Sequence, residues 1–167
     1  AWDALVRQGG LTSGRWALVH AGASGVGTAA IQICKAMGAR IAVTASAGKH
    51  DVCHQLGADV VIDYNADDFV AVTNDATEGL GIDVVLDVIG GEYMPRNVSA
   101  LRLGGRIIQV GVMAGGPVPF NVASLLMKRA TITGTTLRAR PIEEKVAITR
   151  EFAAQILPHV ASGAISP

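Results

Sequence analysis

The chain reads as short apolar runs separated by stretches whose apolar side chains recur at i, i+3, i+4 and i+7. The runs over residues 16–20, 40–44, 60–63, 82–88, 106–110 and 130–136 are continuous rather than alternating. Continuous runs are the pattern of strands covered on both faces. Between the first two, Val26, Ala29, Ala30, Ile33, Cys34 and Met37 form one helical stripe over residues 25–37, with Gly38 as its stop. The same spacing predicts helices over 47–56, 66–77, 92–101, 122–128 and 142–161. A short amphipathic helix over 1–8 carries Trp2, Leu5 and Val6 on one side and ends at Gly9-Gly10. Gly104-Gly105 lead into the fifth strand, and 111–119 is a glycine- and proline-rich loop. Six strands alternating with helices, joined by right-handed crossovers, make two β-α-β-α-β halves. The predicted fold is therefore α/β: a doubly wound six-stranded parallel sheet of order 3-2-1-4-5-6 with helices on both faces, the Rossmann fold. At 167 residues, one domain is expected.

Composition narrows the partners. Lys plus Arg and Asp plus Glu are both 14, so no net field draws the chain to nucleic acid or an anionic membrane. No apolar run approaches the roughly 18–20 residues of a membrane span, and the N-terminal residues lack the charged segment and apolar block of a signal peptide, so none is expected. Cys34 and Cys53 fall inside predicted helices without ligand spacing, so both are read as buried thiols in a reducing, cytoplasmic compartment. His20 is expected as a polar cap facing the turn after the first strand, and His50, His54 and His159 on helix surfaces. Scattered histidines without a carboxylate or cysteine cluster predict no metal site in this stretch. The first residue is not Met and the chain stops at Ile165-Ser166-Pro167, so a piece of a longer protein is expected.

The candidate chemistry begins after the first strand, at Ala21-Gly22-Ala23-Ser24-Gly25-Val26-Gly27. A strand, a tight small-residue turn and a helix start place free N–H groups and the positive end of a helix dipole at one point, the usual cradle for a pyrophosphate. The spacing is Gly22-x-Ser24-Gly25-x-Gly27, with Ser24 where the strict glycine fingerprint has its second glycine. Ala23, Ser24, Gly25, Val26 and Gly27 are the predicted phosphate contacts.

The end of the second strand bears on which dinucleotide. An NAD site has Asp or Glu about 20 residues past the turn, on the ribose hydroxyls. Here Val43-Thr44-Ala45-Ser46-Ala47-Gly48-Lys49 contains no acid and offers Ser46 and Lys49. A hydroxyl and an ammonium attract a 2′-phosphate that a carboxylate would repel, so the predicted cofactor is NADPH. The same absence argues against S-adenosylmethionine. Tyr64, past the third strand, either meets the 2′-phosphate or adenine edge or is a half-buried surface tyrosine. Asp87-Val88-Ile89-Gly90-Gly91, Val110-Gly111-Val112 and Thr135-Thr136-Leu137 are expected to line the nicotinamide half of the crevice, although Asp87 suits a turn-capping role equally well.

The ordered set HAGASGVGTAAIQICKAMGARI, GADVVIDY, DVVLDVIGG, LRLGGRIIQVG and TITGTTLRAR resembles the cofactor domain of zinc-independent medium-chain dehydrogenase/reductases. Within that family it is most similar to NADPH:quinone oxidoreductases of the p53-inducible and zeta-crystallin-like kind. The resemblance implies phosphate contacts from Ala23 to Gly27, 2′-phosphate contacts at Ser46, Lys49 and Tyr64, and a nicotinamide wall of Val88, Ile89, Gly111, Val112, Thr136 and Leu137. It implies reduction of quinones or other α,β-unsaturated carbonyls, with an enoyl-thioester reductase or a non-catalytic NADPH-binding protein as alternatives. It also implies a homodimer through the sheet edge near the sixth strand. The family's GroES-like domain and C-terminal return segment are expected to lie outside this stretch, so no catalytic side chain is assigned to it.

Overall fold

Six parallel strands carry the chain: β1 (Trp16–Val19), β2 (Arg40–Ala45), β3 (Val60–Asp63), β4 (Ile82–Asp87), β5 (Leu101–Gln109) and β6 (Thr131–Gly134). They lie in the order β3-β2-β1-β4-β5-β6, as the sequence predicts. The structure, a computed structural model, describes residues 1–115 and 117–166. Gly116, within the glycine- and proline-rich loop, and Pro167 lie outside the described residues. The helices are α1 (Gly25–Ala36), α2 (His50–Gln55), α3 (Phe69–Ala76), α4 (Tyr93–Ala100), α5 (Ala123–Lys128) and α6 (Ile142–Ala161).

β1 is the centre of the sheet, paired with β2 through Trp16↔Arg40 to Val19↔Val43 and with β4 through Ala17↔Val84 to Val19↔Leu86. Successive strand residues point to opposite faces, so β1 feeds two cores. Ala17 and Val19 join Ala30, Ile31 and Cys34 of α1 on one face, with Val43, Leu86 and Ile108. Leu18 joins Phe69 and Val98 on the other, with Ala42, Ile62, Val85 and Ile107. A third cluster packs Ile148 and Ile156 of α6, with Trp2 and Ile165, on Ile33 at the outer side of α1. Each fully buried Leu or Ile is worth about 1.5–3 kcal/mol.

Several elements differ from the sequence expectation. The N-terminal turn is π-helical over Asp3–Gln8 rather than α-helical over 1–8; Trp2 and Leu5 are still buried. α3 starts at Phe69, because Asp68 caps the helix through its Val70 N–H while the Ala66 and Asp67 N–H groups turn back onto the Asp63 carbonyl. α4 ends at Ala100, and β5 begins at Leu101 instead of 106. Leu101 pairs with Ile82 and Arg106 with Val84, so four residues of β5 bulge against one of β4. Gly104, at φ 77°, absorbs that bulge. β6 is trimmed to Thr131–Gly134.

Candidate functional site

The turn after β1 is shaped by close packing. Ala21 takes φ 59°, and the Gly22 N–H donates to the Thr44 carbonyl at 2.8 Å, which holds the turn against β2. A Cβ on Gly22 would stand 2.5 Å from that of Val43, and one on Gly27 only 2.3 Å from the Gly22 carbonyl oxygen. Both glycines are required by packing, whereas a Cβ on Gly25 would meet nothing within 4 Å. Ser24 is the N-cap of α1: its Oγ accepts the Gly27 N–H at 3.1 Å and its carbonyl accepts the Thr28 N–H at 2.8 Å. That leaves the Gly25 and Val26 N–H groups, the first two of the helix, without a partner among the described residues. Ser24, Gly25 and Val26 are exposed. An open approach, two free donors and a helix dipole fit an anionic group at Gly25.

The other predicted residues all follow the carboxyl ends of strands, on the same edge of the sheet. Ser46, half-buried, and Lys49, exposed, follow β2; Lys49 is the N-cap of α2. Ala45 at the end of β2 has Asp63 of β3 as its register partner. The Asp63 Oδ1 is engaged by the Asn65 N–H and side-chain amide. Tyr64 is exposed beside it. Val88 and Ile89, half-buried, meet the loop after β5: their carbonyls accept the Met113 and Ala114 N–H groups at 3.1 and 2.9 Å. Gly111, Val112 and Thr136 line one cleft of about 340 Å³ together with Gln109. Leu137 does not join them. It lines a separate apolar cleft with Trp2, Ile148 and Phe152, because the chain has turned toward α6 by that point.

Two expectations change. His20 is not a turn-facing cap but a buried residue, 1% exposed, inside a polar network. Its Nδ1 lies 3.1 Å from Thr44 Oγ1 and its Nε2 2.7 Å from Asn97 Oδ1. Burial lowers its pKa below the ordinary histidine value, outweighing the Asn97 bond and the Asp87 charge that act to raise it. Asp87 is fully buried and resolves to the capping role: Oδ1 accepts the Ile89 and Gly90 N–H groups at 2.6 and 3.0 Å, and Oδ2 accepts from Asn97 Nδ2 at 2.9 Å. No sequence motif marks Thr44 or Asn97. The available signal was the polar residue that ends each of two apolar strands, His20 after β1 and Asp87 in β4.

These features now stand beside known proteins. A family model described as zinc-binding dehydrogenase matches residues 25–154, well over half of the chain. The chain belongs to the zinc-binding dehydrogenase family. Among solved structures of similar shape is the nucleotide-binding subdomain of the enoylreductase domain of PpsC from Mycobacterium tuberculosis. It is 34% identical, with a TM-score of 0.82 over 99% of this chain and 92% of that one. Escherichia coli quinone oxidoreductase complexed with NADPH is 28% identical, with a TM-score of 0.83 over 99% of this chain and 51% of that one. The mitochondrial NAD(P)H oxidoreductase RTN4IP1 of Danio rerio is 46% identical over 70 residues, which are 40% of this chain and 18% of that protein. The chain thus spans about half of the E. coli enzyme, and its match to the curated Danio relative covers less than a fifth of that protein.

The family description implies zinc, and this stretch does not fit it. Among the described residues no group of three or more His, Cys, Asp or Glu side chains comes together to hold a metal ion. Among the described residues, too, no helix is long and apolar enough to cross a membrane.

Proposed function

We propose that this domain binds NADPH and is the cofactor half of a reductase acting on conjugated carbonyl compounds, quinones or enones. The observation that carries the reading is the pairing of a phosphate turn with an acid-free end of β2, where Ser46 and the exposed Lys49 stand in place of a ribose-binding carboxylate. The pyrophosphate would lie on residues 23–27, at the Gly25 and Val26 N–H groups. The 2′-phosphate would lie among Ser46, Lys49 and Tyr64. The nicotinamide would lie along Val88, Ile89, Gly111, Val112 and Thr136, with Leu137 at the margin. Bound there, NADPH supplies a hydride, and the chain contributes orientation, hydrogen bonds and exclusion of water.

Fluorescence titration of the domain with NADPH and NADH tests the cofactor. Lys49→Ala is expected to weaken NADPH about five- to tenfold, one exposed charge-assisted contact, and to leave NADH unchanged. Tighter binding of NADH by the unaltered chain would overturn the reading.

A second reading, an enoyl-thioester reductase, is favoured by the 34% identity across 92% of the M. tuberculosis enoylreductase subdomain, against 28% for the quinone oxidoreductase. NADPH oxidation by the full-length protein with 1,4-benzoquinone and with crotonyl thioester in parallel separates the two. For assembly we propose a homodimer through the outer edge of β6, the last strand of the sheet. Sedimentation equilibrium tests it, and a monomer at micromolar concentration would refute it. The buried thiols Cys34 and Cys53 suit a reducing compartment, and the cytoplasm is the proposed location.

A further inference from the structure

Three turns of this crevice are joined by one buried chain of side-chain hydrogen bonds, and its geometry allows only one direction. Asp87 fixes that direction. Its carboxylate only accepts, so the Asn97 amide must present Nδ2 to Asp87 Oδ2, at 2.9 Å. Asn97 Oδ1 therefore faces His20 Nε2, at 2.7 Å, and His20 must donate there. The neutral ring then accepts at Nδ1, and Thr44 Oγ1 donates to it at 3.1 Å. The Thr44 hydroxyl in turn accepts the Ala21 N–H at 3.3 Å. At the other end, Asp87 Oδ1 holds the Ile89 and Gly90 N–H groups. The chain runs from the phosphate turn through the end of β2 to the turn after β4, and His20, Thr44, Asp87 and Asn97 are each at most 1% exposed.

The surroundings keep this unit dry. Phe69 of α3 and Tyr93 of α4 present edge-to-face contacts to the His20 ring, with centroids at 4.9 and 4.8 Å. Arg96 stacks beyond them, 4.2 Å from the Phe69 centroid, and pairs with Asp68. The charged and titratable groups around His20 are thus Asp87 through Asn97, Arg96 behind the rings, and Tyr93. The nearest carboxylate reaches the imidazole only through a neutral amide.

We infer that His20 is a positioning residue: as the neutral Nε2–H tautomer it locks the phosphate turn and the end of β2 to the turn after β4, so that the two halves of the bound dinucleotide are set by one buried unit. The inference rests on the proposed NADPH reading, and two variants divide the unit at its centre. His20→Gln retains a donor near the Nε2 position, toward Asn97, and loses the Thr44 link. His20→Asn retains an acceptor near the Nδ1 position, toward Thr44, and loses the Asn97 link.

Nitrogen-detected NMR of the wild-type imidazole at pH 8, where the ring is neutral, is expected to show protonated Nε2 and bare Nδ1. A protonated Nδ1 with bare Nε2 at that pH would overturn the assigned direction. Hydrogen exchange at Ile89 and Gly90 is expected to accelerate in His20→Asn and to stay as in wild type in His20→Gln. In binding, His20→Asn is expected to lose about three- to tenfold for NADPH while holding 2′,5′-ADP within twofold; His20→Gln is expected to weaken 2′,5′-ADP. Equal losses of both ligands in both variants, with unchanged exchange at Ile89 and Gly90, would reduce His20 to a packing residue and overturn the inference. Failure of the wild type to bind either ligand would instead sink the NADPH reading, and the tautomer and exchange measurements would still decide the hydrogen-bond chain.

Discussion

Gly25 and Gly27 sit two residues apart in the first turn of α1, yet alanine at each is expected to do different things. A Cβ at Gly27 would lie 2.3 Å from the Gly22 carbonyl oxygen and 2.5 Å from that of Ala21. Ordinary contact begins near 3.4 Å, so about 1 Å of overlap must be relieved by moving backbone, not a flexible side chain. Overpacking of that kind costs about 1–3 kcal/mol, which lowers Tm by roughly 2–12 °C in a domain of this size. It also displaces the turn that would carry the pyrophosphate. A Cβ at Gly25 meets nothing within 4 Å, and the residue is helical. Alanine there is expected to be neutral to stabilising by up to about 1 kcal/mol, through lost unfolded-state freedom. It nonetheless puts a methyl group where a phosphate would approach the two free N–H groups. Thermal melts and NADPH titration on the two variants make the test. Gly25→Ala is expected to melt at or above wild type and bind NADPH at least tenfold more weakly, about 1.4 kcal/mol or more. Gly27→Ala is expected to lose both. Wild-type NADPH affinity in Gly25→Ala would show that the open space over α1 is not the phosphate site.

Three further outcomes follow from the same geometry. Because burial lowers the His20 pKa in the folded state, the unfolded chain takes up the proton first: stability is full above about pH 6.5 and falls as pH drops from there toward the folded value, by at most about 1.4 kcal/mol per pH unit. Urea unfolding at pH 7.5, 6.5 and 5.5 is expected to show this loss in wild type and less of it in His20→Gln; equal losses would place the acid sensitivity elsewhere. The Cys34 thiol is buried and its pKa is pushed up to about 12, and the Cys53 thiol is buried and shifted upward as well, so native protein is expected to resist a thiol reagent at pH 8 that labels two cysteines after unfolding. Phe69→Ala removes a ring that is 1% exposed and that covers His20, and is expected to cost about 3–5 kcal/mol in chemical denaturation; a loss under 1 kcal/mol would mean that this face of the sheet repacks freely.

The strand order and the long helices were legible because their signal is periodic and redundant. Every residue of β1 after Trp16 is fully buried, and the stripe from Val26 to Met37 leaves little choice of helix face. The bulge in β5 was not legible. Leu101 continues the apolar pattern of α4, and only its pairing with Ile82 across the sheet makes it strand; a long-range contact decided an assignment that local pattern could not. The same limit separated the two parts of the candidate site. Residues 23–27 announce themselves through neighbours in sequence, since turn, cap and helix start are all local. His20, Thr44, Asp87 and Asn97 are spread over 78 positions, from 20 to 97, and none is unusual where it stands. Each is a polar group in an apolar setting, and in isolation each neutral one would cost about 1–3 kcal/mol to bury, and the Asp87 carboxylate more. A parallel sheet brings the ends of β1, β2 and β4 side by side, and only then do the donors and acceptors match. A polar residue that interrupts a buried strand therefore carries information that its own segment cannot decode: it predicts a partner at the same edge of the sheet. The partner can be sought among the polar residues at the ends of neighbouring strands, where Thr44 lies, and on the helix that follows, where Asn97 lies.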